Sequence, residues 1–526
     1  MNKPIFDNDD IANPFGITHN FDVSVILPFY KKIDEFKKVL PLNAAFFQRN
    51  GIEVVISMDD DSQEDELISL IRQYPFINWK VIINRQKHEW RNPCKAINVG
   101  IKNSSKKYIL VCSPESEFFT DAIFLMRRML EYYENHFAIG TVTFAYGYEV
   151  SEENLSFHIP YGSIMAKKED LIAIKGYDEA LNKWGGDDDN IRARLEFNGV
   201  KKLLMPEVKL IHREDDPVGE VKRFNKRKLI PTEIEMNIFF PLKACVNDIW
   251  GEDYSEVIFD WRINGYAYEH ACDYARKFEF FFVAEREIIL KKYDKVLLAQ
   301  SYNEGENIVD FLDNMGKYFD GIILLDDGSI DNTFVLAQHP KLLIKIKKKR
   351  IGFIDIENRN IALDLASFVN SEWFCFMDTD ERFCNKFSDL DGAIKVDQTD
   401  IISFFFVHIW DKNGDIYNGE YPYSNNGIVE RVKMFRNFGH CQINTLKERM
   451  HFAVIPHQQN ISKSKILYKH FGMDSEYKRE CKYSLYQKED IAKDQTNYEH
   501  IIKHESKRLN FNDIEYVNGR FLNPNL

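Results

Sequence analysis

The sequence predicts an α/β chain of two tandem, Rossmann-like, mostly parallel sheets joined by a helical segment. Three observations carry that prediction. The chain has 526 residues, and single hydrophobic cores stop growing near about 250–300 residues, so two domains are expected. Short β-branched runs alternate with charged amphipathic stretches, the pattern of strands covered by helices on both faces. The alternation also begins twice, near Val23 and again near Lys295, as two copies of one half-sheet of about 100 residues would.

In the first copy, Val23–Pro28 is a short apolar strand followed by a charged amphipathic stretch from Asp34 to Arg49. Ile52–Ser57 is a second strand, Glu64–Gln73 a helix and Trp79–Ile83 a third strand; a helix from about Cys94 leads to a fourth, Tyr108–Cys112. In the second copy, strands Lys295–Ala299, Gly321–Leu325, Leu342–Ile346 and Trp373–Met377 alternate with helices Glu304–Gly316, Asp331–Gln338 and Ile356–Ala366. Polar marks repeat as well: Asp60 precedes Arg91 by 31 positions (91 − 60), and Asp327 precedes Arg359 by 32 (359 − 327). The expected divisions are 1–225, a helical connector at 226–292 that is poor in Gly, Pro and Ser, a second domain at 293–475, and a helical tail at 476–526.

Composition narrows the class. The chain is 44% hydrophobic and 14% aromatic, enough for full cores and unlike a disordered chain. A net charge of −13 argues against nucleic acid as a partner. Two basic runs, Lys222–Lys228 and Lys345–Arg350, read as solvated faces or strand ends, with contact to an anionic membrane surface or acceptor as the alternative. Eight scattered cysteines without a CxxC pair fit neither a disulfide framework nor a zinc site, and suggest the reduced thiols of a cytosol. The polar, acidic start MNKPIFDNDD is unlike a signal peptide, and no apolar run approaches the about 18–20 residues of a membrane span. A cytoplasmic protein is expected, at most peripheral at the inner face of the membrane.

Ligands of open α/β sheets sit at the carboxyl ends of the parallel strands, so the residues just past each apolar run matter most. In the second half, strand two ends in Asp326-Asp327-Gly-Ser329-Ile-Asp331-Asn-Thr333. Alone, that string could be a turn with Asp331 as helix cap. Strand four ends in Asp378-Thr-Asp380-Glu381, and carboxylates two residues apart at a strand end can share one hard divalent cation, which suits a pyrophosphate.

With Ser301-Tyr-Asn303-Glu304 after strand one and Arg359-Asn360 on the following helix, these strings resemble the family 2 glycosyltransferases of the GT-A fold. The resemblance implies that Asn303, Glu304, Asp327 and Arg359 contact a nucleotide-sugar, that Asp378 and Asp380 hold Mn2+ or Mg2+, and that His470 is a further candidate metal ligand. The stretches Val432–Arg436, His451 and Lys469–Gly472 look like the acceptor side of lipopolysaccharide-core-type members.

The first half resembles another branch of the same fold, the galactosyltransferases and chondroitin polymerases, through Pro28-Phe-Tyr30, Asp59-Asp60-Asp61, Arg91-Asn-Pro and Trp184-Gly185-Gly186-Asp187-Asp188-Asp189. A helix N-terminus explains the acids of that last string through its dipole, but not the Trp-Gly-Gly before them. The resemblance makes Asp188, beside Asp187, the base that removes the acceptor hydroxyl proton. It places Pro28, Tyr30, Asp60, Arg91, Trp184 and Gly186 at the donor sugar-nucleotide, and His212 as a candidate metal ligand. One departure matters: strand four is followed by Ser113-Pro-Glu115-Ser-Glu117, so Glu115 and Glu117 stand in for the aspartates, or the metal is weakly held or absent. In the second half Glu381, Glu430 and Glu448 stay open as the base.

The expected function is a bifunctional inverting transferase that uses nucleoside-diphosphate sugars, UDP-sugars foremost, to extend a bacterial surface glycan or glycolipid acceptor. The alternative is a single activity with one unit, the first by preference, as a binding module.

Overall fold

Runs such as VSVILPF and IEVVISM carry no polar face, because a central parallel strand is covered on both sides. Accordingly, β1 (Val23–Phe29) and β2 (Ile52–Met58) are buried along almost their whole length. The structure, a computed structural model, describes residues 20–49, 51–146, 157, 163–181, 185–214, 243–260, 266–352, 355–396, 399–411, 414–417, 424–425, 428–443, 455–456, 460–490, 498–503, 506–508, 514–517 and 520–522. The chain divides near residue 264 into two compact units.

In the first unit β3 (Trp79–Ile83) and β4 (Tyr108–Val111) join β1 and β2 in parallel. Between these strands run α1 (Ile33–Phe47), α2 (Glu64–Ile71) and α3 (Cys94–Asn103). Helix α1 buries Ile33, Phe36, Leu40 and Phe47, a stripe at helical spacing. Next come β5 (Ser116–Phe118), α4 (Ala122–Tyr132), β6 (His136–Tyr146), β7 (Ile164–Lys167), α5 (Asp187–Phe197), β8 (Lys201–Glu214) and β9 (Glu256–Asp260). The sheet order is β5-β8-β6-β7-β4-β1-β2-β3-β9.

The second unit contains α6 (Tyr266–Ala275), β10 (Phe280–Val283), β11 (Tyr293–Ser301), α7 (Ile308–Met315), β12 (Gly321–Asp326), β13 (Leu342–Lys347), α8 (Asp355–Ala366), β14 (Ser371–Asp378), β15 (Glu381–Phe383) and β16 (Ile401–His408). Then follow β17 (Asp415–Tyr417), β18 (Ser424–Asn425), β19 (Ile428–Arg436), β20 (Ile461–His470), α9 (Glu476–Glu489), β21 (Ser506–Arg508), β22 (Glu515–Val517) and β23 (Arg520–Leu522). Its sheet runs β15-β20-β16-β19-β14-β11-β12-β13-β10, with β18 paired on β19.

The two orders match strand for strand, and every neighbouring pair has the same sense. For example, β6·β8 and β16·β20 are parallel while β5·β8 and β15·β20 are antiparallel. Only the far edge differs in origin: β9 follows its own sheet in the chain, whereas β10 precedes its sheet. Of the expected helical connector at 226–292, the described residues form one edge strand for each sheet, helix α6 and a short helix at Arg286–Ile289. The tail at 476–526 begins as helix α9 but ends in short strands, β21 on β17 and the β22–β23 pair.

Each unit has its own core. Ile26, Val55, Ile97 and Val111 meet in the first; Leu297, Phe311, Leu324 and Met377 meet in the second. Among the described residues no helix is long and apolar enough to cross a membrane.

Candidate functional site

The carboxyl ends of the parallel strands can be aligned by backbone bonds. Asp59 N donates to Phe29 O and Asp327 N to Ser301 O, both at 2.8 Å. Asn84 N donates to Met58 O at 2.8 Å and Lys348 N to Asp326 O at 2.9 Å. These matched bonds make Asp59 the counterpart of Asp327, where Asp60 was expected. The spacing then becomes common to both halves, 91 − 59 and 359 − 327 each giving 32. The two arginines nonetheless do different work. Arg91, ahead of α3, clamps Asp59 through Nε at 2.9 Å and a terminal nitrogen at 2.7 Å. Arg359 lies inside α8 and reaches Asp355 and Asp378, each at 3.2 Å.

The strand-four acids align in the same way. Ser116 stands opposite His212 across β5·β8, and Glu381 opposite His470 across β15·β20. The preceding residues, Glu115 and Asp380, therefore hold one position. Each meets the facing histidine: His212 Nε2 lies 3.4 Å from Glu115 and His470 Nε2 lies 3.2 Å from Asp380. A helix asparagine holds each short strand in place. Asn43 accepts from Phe118 N at 2.9 Å, and Asn314 accepts from Phe383 N at 3.1 Å.

In the first unit Glu115 is buried. Burial alone would raise its carboxyl, but Lys32 at 3.2 Å and His212 hold it ionised, well below the usual carboxylate range. Glu117 is spent on Arg213, at 2.6 Å. Pro28 lies in β1 opposite Ser57, and the Tyr30 ring leans on His88 at 5.9 Å. Asp60 caps Ser62 N at 3.0 Å and pairs with Lys31 at 3.5 Å, which makes it a turn former in this structure.

The Gly-Gly-Asp string does open a helix. Gly185 and Gly186 have φ of +88° and +87°, a left-handed backbone that a side chain resists, and Gly186 leads into α5. Asp187 accepts from Asn92 Nδ2 at 3.2 Å. Burial, and then the neighbouring charge of Asp187, push the Asp188 carboxyl up to about 8. Asp188 still keeps a water-accessible face. Trp184 lies outside the described residues, as do Tyr161, the basic run Lys222–Lys228, Glu448 and His451.

In the second unit Asn303, at φ +53°, ties the first loop to the turn after β12: its backbone N–H donates to Ser329 Oγ and its side chain accepts from Ile330 N, both at 2.9 Å. Glu304 N donates to Thr333 Oγ1 at 2.7 Å. Burial first, and the charge of Asp380 second, raise the Glu304 carboxyl, which accepts from Asn307 Nδ2 at 2.7 Å. Asp327 is buried, ion-paired with Arg350 and 3.5 Å from Lys348. Its Oδ1, the oxygen 3.5 Å from Lys348 Nζ, is buried without a hydrogen-bond partner, as is Ser301 Oγ; orphaned polar atoms at strand ends point to a missing ligand or water. The Arg350 guanidinium lies 3.6 Å over the Tyr302 ring. The Lys345–Arg350 run begins at a strand end, where Lys345 donates to Phe334 O and Ala337 O.

Asp378 accepts from Gln300 Nε2 at 3.1 Å, and Asp380 has Lys482 of α9 at 3.9 Å as well as His470. Glu381 does not fit the role of base. It is buried with both oxygens 2.9 Å from Lys433 Nζ, and it also accepts from Asp378 N at 2.9 Å. His408, Lys482 and Lys32 escaped the sequence reading, each being a lone residue with no motif around it, while Lys433 was read only as part of the Val432–Arg436 stretch. His408 shares a 2.7 Å Nδ1–Nδ1 hydrogen bond with His470, and burial keeps it neutral.

The donor sets differ in their fitness for a divalent cation. Asp378 and Asp380 are hard oxygen donors whose side chains stay 30% and 19% exposed, which suits Mn2+ or Mg2+. Glu115 and Glu117 do not fit, being already engaged by Lys32 and Arg213. Among the described residues no three His, Cys, Asp or Glu side chains converge as a ligand set.

Comparison with known proteins bears on the first unit. Residues 24–184 match glycosyl transferase family 2, and residues 149–231 match the N-terminal domain of galactosyltransferase. An uncharacterized glycosyltransferase of Rickettsia felis is 29% identical over 140 residues, covering 26% of this chain and 22% of that relative. Among solved structures, S. aureus TarS is 15% identical with a TM-score of 0.29, over 42% of this chain and 40% of that one. The mannosyltransferase PcManGT from Pyrobaculum calidifontis, in complex with GDP-Man and Mn2+, is 13% identical with a TM-score of 0.30, over 41% and 65%.

Proposed function

We propose, from the match of residues 24–184 to glycosyl transferase family 2, that the chain transfers sugars from nucleoside-diphosphate donors, UDP-sugars foremost, with a donor site in each unit. The observation that carries the two-site reading is the duplicated sheet, which presents an acid and a facing histidine at one register in both units. The acceptor is a glycan or glycolipid hydroxyl, the product a bacterial surface glycan, and the setting the cytoplasm, with any contact at the inner membrane face peripheral.

In the first unit Asp188 acts as general base. A carboxyl near 8 is matched to proton abstraction close to neutral pH. The acceptor oxygen gives its proton to Asp188 and bonds to the anomeric carbon as the bond from that carbon to the diphosphate breaks, which inverts the centre. In the second unit Asp378 and Asp380 would hold Mn2+ or Mg2+, which neutralises charge on the departing diphosphate. Arg359 and Gln300 orient Asp378, and His470 orients Asp380. The orphaned Asp327 Oδ1 and Ser301 Oγ take the nucleoside.

The second reading, one catalytic unit, is supported by the occupied Glu115 and by the burial of Glu381. Asp188→Asn and Asp380→Ala, assayed against a panel of donors, separate the two. Two activities mean that each variant loses a different sugar transfer; loss of the same single transfer by both defeats the two-site reading.

A further inference from the structure

We infer that the first unit binds its nucleoside diphosphate without a divalent cation, with the Lys32 ammonium supplying the positive charge beside Glu115. This rests on the proposed donor site of that unit and goes beyond it. The common register makes the comparison direct. Counting back from Ser116 and Glu381, Glu115 stands at Asp380 and Ser113 at Asp378. A neutral hydroxyl thus replaces one of the two carboxylates.

The loop after the first strand reverses its charge between the units. Three residues past the matched Ser301 and Phe29, the second unit has Glu304 and the first has Lys32, which lies 3.2 Å from Glu115. Around the second site Asp355, Asp378, Asp380 and Glu304 face Arg359 and Lys482, so carboxylates are in excess and a cation is called for. Around the first, Lys32 pairs with Glu115 and, at 3.4 Å, with Glu35, while Arg213 pairs with Glu117.

Space points the same way. Mg2+ binds oxygen at about 2.0–2.1 Å, so an ion on the Glu115 oxygen that Lys32 contacts would lie nearly against the ammonium. A flexible lysine with a third of its side chain exposed can meet a diphosphate while still pairing with the acid, as a point charge.

The test uses the full-length chain carrying Asp378→Asn and Asp380→Asn, which removes the carboxylate pair of the second unit. UDP and GDP are titrated by calorimetry in EDTA and in saturating Mn2+, and free Mn2+ is followed by electron paramagnetic resonance. We expect a nucleotide to bind with affinities within about twofold in the two conditions, with no Mn2+ taken up. Lys32→Met on this background should weaken binding by about tenfold or more and lower the first unit's melting transition, because it leaves buried Glu115 with His212 alone, while Lys32→Arg retains both binding and the transition. Binding that falls about tenfold in EDTA, or that takes up Mn2+ stoichiometrically, overturns the inference and leaves the donor site standing. Absence of UDP and GDP binding in both conditions overturns the donor site itself, and the inference with it.

Discussion

Glu381→Gln decides whether the residue beside the strand-four acids holds the fold or runs the chemistry. Glu381 and Lys433 are 4% exposed each, and both carboxylate oxygens lie 2.9 Å from the ammonium. Burial presses the Glu381 carboxyl upward, while Lys433 draws it back toward the charged form. The amide can still accept from Asp378 N, but it leaves Lys433 as an uncompensated buried charge. Removing one partner of a buried pair costs about 3–5 kcal/mol. At about 2–4 °C per kcal/mol for a domain of this size, the second unit's transition should fall by about 6–20 °C. Scanning calorimetry of the full chain reads this directly, because the first unit's transition serves as an internal reference. Replacing both residues with methionine should recover most of the loss, since well-packed apolar groups often match a buried pair. If Glu381→Gln melts within about 2 °C of the parent and loses transfer, Glu381 is a base and the structural assignment is wrong.

Two further outcomes follow from the same geometry. A Cβ at Gly472 would press on Lys482 Nζ and come 2.5 Å from Asp380 Oδ2; Gly472→Ala should therefore displace Lys482, cost about 1–3 kcal/mol in urea melts, and raise the donor KM of the second unit. The folded Asp188 carboxyl, near 8, lies above its unfolded value of about 3.9, so the native state holds that proton more tightly. Its contribution to stability is full below about pH 4 and is lost as pH rises to about 8; melts of Asp188→Asn should lack that decline. As a base Asp188 works only when ionised, so transfer by the first unit should rise through pH 8, and a flat profile there removes it from that role.

Much of the sheet could be read from sequence because central parallel strands are continuously apolar: Val23–Phe29, Ile52–Met58 and Gly321–Asp326 have no other plausible home. The edge strands could not. In β9 only Phe259 is fully buried, and β10 is largely exposed, because an edge strand pairs on one side and carries little periodicity. The aromatic stretch around them therefore passed for helix. Three successive aspartates hid which one matches Asp327, and only the bond from Asp59 N to Phe29 O resolves it. Glu381 looked like one more acid at a strand tip because its partner Lys433 is 52 positions away in the chain. His408 lies 62 positions from His470. Contacts of that kind are made by register, which no local pattern encodes.

The duplication turns such contacts into a controlled comparison. With strand order, pairing sense and register common to both sheets, a difference at one position is a difference in chemistry. The acid and its facing histidine persist at that position, as Glu115 with His212 and Asp380 with His470. What changes is the third group, an ammonium from Lys32 in one unit and a carboxylate from Glu304 in the other. One end thereby carries an ammonium of its own before any ligand arrives, where the other has a carboxylate at the matching position. A diphosphate brings further negative charge to both, so the second unit must recruit a cation that the first already owns. If nucleotide affinity in the two units responded equally to chelation, the charge of that third group would have no bearing on donor binding.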